Sequence, residues 1–488
     1  MMRSIFTKTA SLFFALSVAF SPIPPYTTVN AETVSAENSQ KTVCEYTVYA
    51  NTDAPYGYTM LSKETNGAAM QRLYESMETV VGKYINGGGD IPKDDPKSSD
   101  SGNVFYEIPS ASFKGADFGL SINEMISVYF TFRADHPEIV FLPPTYLFSK
   151  NANVIDLVIP EEFVLQSERV KYAELASQRL ESFKSTLSDS DGDYDIAVKA
   201  HDLLMEENFY RYDSGNIPST KHSAHSIVGW LDGTGVVCEG YAKAFQYLLS
   251  GCGVECLYVT GTSKGQSHAW NMIKCASSWL WVDATFNDQS NLPGGYYHYY
   301  FGLPNTAFLS DHIPSDRTFG TSYQVELPAV SDNFDSFYYQ KYNALISDPS
   351  QLMNMLADNA RREFDRQSYT VTLFAQNGEV KTQAISALRQ ASNVLGMLDE
   401  YDLSLRCSTQ YSHSTISSAD AGNGGCIIYV NFNYHPCDVD RNTFVEKYDA
   451  ELILDALCEN IPIPRYADTD ENGEVTVYDA VLVLKTIK

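Results

Sequence analysis

The sequence predicts an α+β protein divided into several domains, and three observations carry that reading. A chain of 488 residues is too long for one hydrophobic core, so three or four domains are expected. In its middle, helix-period runs are followed by short apolar runs at Glu255–Thr260, His268–Cys275 and Trp279–Thr285; helices first and an antiparallel sheet after them is the α+β order. The tail repeats itself at a spacing of thirty residues. Asp438-Val-Asp-Arg-Asn442 is echoed by Asp468-Thr-Asp-Glu-Asn472, and Tyr448-Asp-Ala by Tyr478-Asp-Ala, two copies of one small unit.

Composition narrows the function classes. Apolar residues make up 44% and aromatics 13% of the chain, a globular content and not a disordered one. A formal charge of −27 argues against nucleic acid and anionic membrane as partners, since both need basic patches. It also leaves carboxylates to spare for calcium. Met1 to Ala31 reads as a secretory leader. Arg3 and Lys8 supply positive charge, Ala10 to Phe20 forms a short apolar core, and Val29-Asn-Ala31 suits cleavage. No later run reaches the about 18 apolar residues of a membrane span, so a secreted, extracellular protein without a transmembrane segment is expected. Nine cysteines leave the disulfide pattern open.

Residues 32–190 read as an N-terminal α+β domain. Helical periodicity covers Asn66–Tyr84, Ser121–Ala134 and Tyr172–Leu187, and strands are expected at Val154–Ile159 and Phe163–Leu165. Asp189-Ser-Asp-Gly-Asp193 imitates a calcium loop, but its glycine falls fourth instead of sixth and its twelfth position is Ala200. A turn capping the next helix is the better reading. Asp135-His-Pro-Glu138 reads as a turn closing its helix, not as a metal site.

Residues 191–320 form the central domain and hold all four tryptophans, at 230, 270, 279 and 281. After a helix over Ile196–Phe209, the next begins at Cys238. Apolar residues recur at Tyr241, Ala242, Ala244, Phe245, Leu248 and Leu249, the pattern of one buried helix face, and Gly251 reads as its C-terminal cap. A thiol on a first turn meets unsatisfied N–H groups and the positive end of the helix dipole, which stabilise negative charge. His268 follows in Ser-His-Ala-Trp-Asn-Met, and Asp283 in Trp-Leu-Trp-Val-Asp-Ala-Thr. Cys, His and Asp in this order supply a nucleophile, a base and a group that fixes the imidazole tautomer. The backbone N–H of Cys238 is the expected oxyanion donor. A lone cysteine at a helix start is more often plain core, and only the His and Asp motifs make it a catalytic candidate. A zinc site from Cys238, Cys252, Cys256 and His268 lacks paired-ligand spacing. Trp270 and Trp281 read as core or cleft wall.

These motifs resemble the transglutaminase-like cysteine enzymes. The matching stretches are Cys238-Glu-Gly-Tyr-Ala-Lys-Ala-Phe, Gly-Val-Glu-Cys-Leu-Tyr-Val-Thr-Gly261, His268-Ala-Trp-Asn and Trp281-Val-Asp283-Ala-Thr. His201-Asp-Leu-Leu lies upstream, and the aromatic run Tyr296 to Phe301 with His312 downstream. The resemblance covers roughly residues 195–315. It implies a papain-like core, a helix against an antiparallel sheet, with Cys238, His268 and Asp283 as the triad and no cofactor for catalysis. Phe286 stands where the family usually has Trp. Peptide hydrolysis, glutamine deamidation and amide cross-linking share the thioester step and differ in whether water or an amine attacks it. Water is the default acceptor, so hydrolysis of a protein or peptide substrate leads. The alternative is a catalytically silent binding or structural module.

Residues 321–436 read as a further α+β domain whose role is not legible. Helices are expected at Tyr338–Ile346, Pro349–Phe364 and Thr382–Leu398, with strands at Tyr369–Phe374, Ser404–Thr409 and Cys426–Asn433. In the tail, residues 437–488, oxygens at loop positions one, three, five and twelve, with the carbonyl at seven, suit calcium. The first loop offers Asp438, Asp440, Asn442, the carbonyl of Phe444, Glu446 and Asp449. The second offers Asp468, Asp470, Asn472, the carbonyl of Glu474, a water held by Thr476, and Asp479. Gly473 holds the sixth position, where the chain needs a positive φ. Thr443 replaces it in the first loop at a strain on the order of 1–3 kcal/mol, which predicts a weaker first site. A duplicated loop with a helix after it but none before resembles a type I-like dockerin, over residues 437–488. That resemblance implies an all-α module attached through calcium to a cohesin on a cellulosome scaffold. Lys447 and Tyr448, or Val477 and Tyr478, would make the contact.

Overall fold

The computed structural model describes residues 29–30, 54–85, 87–98, 103–213, 217–288, 298–320, 323–365, 370–390, 415–420, 425–432, 435–440, 445–459, 467–470 and 472–487. Most of the expected leader, the expected strand Ser404–Thr409, and Asn442, Thr443 and Phe444 lie outside the described residues. Val29–Asn30, inside the expected leader, pairs parallel with Leu147 and Phe148.

Mixed helix and sheet run through the chain in three sheets. The first is five-stranded, with Val104–Lys114 between Val154–Pro160 and Lys97–Ser98. Sequence periodicity misses the long strand because its register shifts between Glu107 and Ser112, and Ser110 inside the shift has a φ of 68°. The helix Ile122–Asp135 packs nearby. Ser121 caps it, accepting from the backbone of Glu124, whose carboxylate accepts in return. The expected strand Phe163–Leu165 is instead a 3-10 turn, Glu161–Phe163, leading straight into the helix Gln166–Lys184. The acidic run at 189–193 is a turn. Asp191 accepts from the backbone N–H of Ser188, and Asp195 closes onto Gly192 at the start of the helix Asp193–Glu207.

The central sheet is antiparallel throughout, in the order Ser278–Val282, Gln266–Cys275, Cys256–Ser263, His312–Pro314. The helix Cys238–Gly251 packs against it, with Tyr241, Phe245, Leu248 and Leu249 fully buried. Each contributes about 1.5–3 kcal/mol by leaving water. Asn271 ties helix to sheet by donating to the carbonyls of Ala242 at 2.9 Å and Leu257 at 3.2 Å. Gly251 is not the stop. It is the last helical residue, and a Cβ there would meet Leu180 at 2.4 Å. The left-handed residue that turns the chain is Gly253, with φ 83°. The last strand ends at Val282, short of the expected Thr285, because Asp283 leaves the sheet to cap the one-turn helix Ala284–Asn287.

The third sheet, Leu345–Ile346, Thr370–Ala375, Cys426–Asn431 and Thr415–Asp420, is parallel only between its first two strands. The helix expected over Tyr338–Ile346 lasts one turn, Tyr338–Lys341. Asn343 then adopts a φ of 52° and sends the chain into the edge strand. Buried apolar contacts run continuously from Leu61 to Phe432, across the expected boundaries at 190 and 320. The tail has its own small core of Cys437, Val439, Ala450, Ile453, Ala467, Ala480 and Val483, with Ala450 and Ala480, and Ile453 and Val483, at repeat-equivalent places.

Candidate active site and acidic loops

The three triad candidates meet where the helix start reaches the first residues of the central hairpin. Val237 anchors the turn before the helix by donating to the carbonyl of Ala224, leaving Cys238 as the first helical residue, only 3% exposed. The His268 imidazole lies close enough to the Cys238 sulfur for the two charges to interact. His268 Nε2 lies 2.7 Å from Asp283 Oδ2, and Asp283 Oδ1 accepts from the backbone N–H of Phe286 at 3.0 Å. With Nε2 committed to the carboxylate, Nδ1 is the nitrogen left for sulfur. Phe286, at the place where the resembled family usually has Trp, stacks on the imidazole at 4.5 Å and 24° and covers the ring.

Burial strips charge from His268, but the Asp283 carboxylate, its hydrogen bond and Cys238 outweigh that and push its pKa up to about 10. Burial equally disfavours the Asp283 anion, yet His268 and the hydrogen bonds from His268 and His312 hold it far below the ordinary carboxylate range. Such a pair favours the charged imidazole that a thiolate partner needs.

Three features were not legible in the sequence. Tyr210 packs against Cys238, and burial together with the Cys238 sulfur raises the pKa of its hydroxyl. Tyr210 reaches the cysteine through a bridge with Val236 and lies in a stacked arrangement with Tyr241; twenty-eight residues upstream of Cys238, no motif marks it. Glu239, inside the cysteine motif, is buried with Arg133 at 2.7 Å, Lys243 at 3.0 Å and His225 at 3.0 Å. His312, noticed in the sequence only as a flanking likeness, donates to Asp283 Oδ2 at 3.0 Å. Trp270 and Trp281 are buried at 1% and 3%, core as expected.

In the tail, Asp438, Asp440 and Asp449 bring one oxygen each within 4.8 Å of one another, and so do Asp468, Asp470 and Asp479. Asp449 and Asp479 play the same part. Asp449 accepts from the backbone of Val439 and Glu446, and Asp479 from Thr469 and Thr476. Asp468 and Asn472 hold the second loop by accepting from Gly473 and Glu474, and Gly473 has the expected positive φ, 91°. An all-oxygen, carboxylate-rich set of this kind fits a hard cation such as calcium. The helices Lys447–Glu459 and Val477–Thr486 follow the loops. At their starts Tyr448, Val477 and Tyr478 are 52%, 58% and 53% exposed, and Lys447 pairs with Glu451.

Residues 182–284 match the transglutaminase-like superfamily. The match spans Cys238, His268 and Asp283. Kyphoscoliosis peptidase of Mus musculus is 28% identical over 167 residues, 29% of this chain and 25% of that protein. Kyphoscoliosis peptidase of Homo sapiens is 30% identical over 123 residues, 21% of this chain and 18% of that protein. The chain thus spans a quarter or less of the length of these curated relatives. The transglutaminase-like domain accounts for the mixed helix and sheet of the centre. Among the described residues, no helix is long and apolar enough to cross a membrane.

Proposed function

We propose that this chain is a secreted cysteine enzyme that acts on peptide or glutamine amides and is carried on a cellulosome by its tail. The observation that supports it most is the placing of Cys238 beside His268, whose Nε2 lies 2.7 Å from Asp283, inside the matched domain. In this reading Cys238 sulfur attacks the amide carbon and the carbonyl oxygen turns toward the Cys238 N–H. The His268 imidazolium then gives its proton to the departing amine, leaving a thioester on sulfur and a neutral imidazole. Water, or a substrate amine, attacks the thioester while His268 takes its proton, and the thiolate is released. The name of the curated relatives favours peptide hydrolysis.

The tail would bind calcium through Asp438, Asp440, Asn442, Phe444 and Asp449, and through Asp468, Asp470, Asn472, Glu474 and Asp479. The exposed pairs Lys447 and Tyr448, or Val477 and Tyr478, would then dock on a cohesin. Incubation with a peptide library and a labelled amine, read by mass spectrometry, tests the chemistry, since cleavage, deamidation and amine incorporation give different masses. Cys238→Ala should abolish all three; unchanged turnover would remove Cys238 as the nucleophile.

A further inference from the structure

Behind Asp283 the hydrogen bonds continue. His312 is fully buried, and its Nε2 meets the same Asp283 oxygen, at 3.0 Å, that His268 Nε2 meets at 2.7 Å. On the other side of its ring, Nδ1 lies 2.7 Å from Asp311 Oδ1, and Asp311 Oδ2 accepts from the Tyr300 hydroxyl at 2.8 Å. Phe308 stacks on the His312 ring at 4.1 Å and Trp270 meets it edge-on at 4.9 Å, so the ring has one orientation. The strand His312–Pro314 can approach this closely because Gly261 lies opposite it. A Cβ at Gly261 would stand 2.2 Å from the Ile313 carbonyl oxygen.

A neutral imidazole has one donor and one acceptor nitrogen, whereas a carboxylate can only accept. A ring with a carboxylate against each nitrogen therefore donates from both and carries a positive charge. We propose that His312, held by Asp311, is a positioning residue of the catalytic centre, a fixed imidazolium that aims the Asp283 carboxylate at His268 and offsets part of its charge. The proposal rests on the cysteine-enzyme reading above. It explains how Asp283 can fix the His268 tautomer without holding the His268 proton too tightly to release. Electrostatics agree. Burial opposes the His312 charge, but Asp283 and Asp311 raise its pKa. Asp311, which burial would raise, is lowered by His312 and Tyr300, with a contribution from Lys264. Among the described residues, the other titratable groups facing the His312 ring are Tyr300, at 5.4 Å, and His268, at 5.8 Å.

The test follows the rate of Cys238 alkylation by iodoacetamide against pH, with the Cys238→Ala protein as blank for the other thiols. It needs no known substrate. Wild-type rates should show an acid limb, where the thiolate forms beside the His268 imidazolium, and an alkaline limb, a second change in rate where His268 loses its proton and the thiolate reacts without its cation. In His312→Gln, whose amide can still donate to Asp283, the cation is gone. Both limbs should move to higher pH by on the order of half a unit or more, with the fold intact by circular dichroism. Asp311→Asn, which lets His312 become neutral, should move them the same way by less. Limbs unmoved in both folded variants, or moved to lower pH, would overturn the role of His312 alone. A wild-type Cys238 that alkylates like a free thiol would overturn the triad and its extension together.

Discussion

Replacing Glu239 by Gln probes the buried charge that holds the cysteine helix in place. Glu239 Oε1 accepts from Arg133 at 2.7 Å and from Lys243 at 3.0 Å, Oε2 faces His225 at 3.0 Å, and the side chains of Arg133, Glu239 and Lys243 are each less than a tenth exposed. Glutamine keeps the shape but leaves two buried cations without their anion. Breaking a buried pair by removing one partner costs about 3–5 kcal/mol, and two cations on one carboxylate place this case at the upper end. One relief is available. Burial, and then Arg133, already lower the Lys243 pKa to about 8, so without Glu239 the ammonium sheds its proton at lower pH. The sign follows. A lysine with a depressed folded pKa adds stability as pH rises through that value toward its unfolded pKa, because the unfolded chain still holds the proton. In Glu239→Gln that gain begins at lower pH, so its deficit should be largest near pH 6 and shrink by pH 9. Urea unfolding of both proteins at these pH values measures it. A deficit under about 1 kcal/mol at pH 6, or one that grows with pH, would refute the reasoning.

Other outcomes follow from the same geometry. Because the His268 pKa is raised to about 10, its charged contacts stabilise the fold fully below its unfolded value, about 6.5, and are lost as pH rises through 10. Asp283→Asn should flatten that loss in thermal scans between pH 7 and 11, and an unchanged slope would deny the pairing. Gly261→Val should cost at least about 1–3 kcal/mol, since the new side chain collides with Ile313 and Trp270; a neutral result in chemical denaturation would mean the last strand is not held there. Removing calcium with a chelator should unfold the tail alone, visible as lost helix signal that returns on adding calcium. Calorimetry of Asp479→Ala and Asp449→Ala proteins should find the site left in the first loop weaker than the site left in the second. Equal affinities would exclude the cost assigned to Thr443.

Local chemistry was readable wherever the residues concerned are neighbours along the chain. The periodicity from Tyr241 to Leu249 set the helix beginning at Cys238, and the sixth place in the second acidic loop put Gly473 at a positive φ. The lone thiol, imidazole and carboxylate could be ordered into a triad because each sits in its own short motif. What stayed hidden was brought together from a distance or broke a local pattern. Ser110 interrupts the long N-terminal strand, and Asn343 ends a helix that periodicity would have continued. Arg133 reaches Glu239 across 106 positions and Tyr210 reaches Cys238 across 28, with no motif to announce either. By itself the sequence singled out the candidates for acyl-transfer chemistry and for holding calcium, since those depend on residue type and short spacing. Only the tertiary structure decided that Asp283 turns out of its strand to cap a helix, and that His312 and Asp311 stand behind it. The contacts of His312 and Asp311 join segments far apart along the chain, and their energies come from burial and geometry that no local pattern encodes.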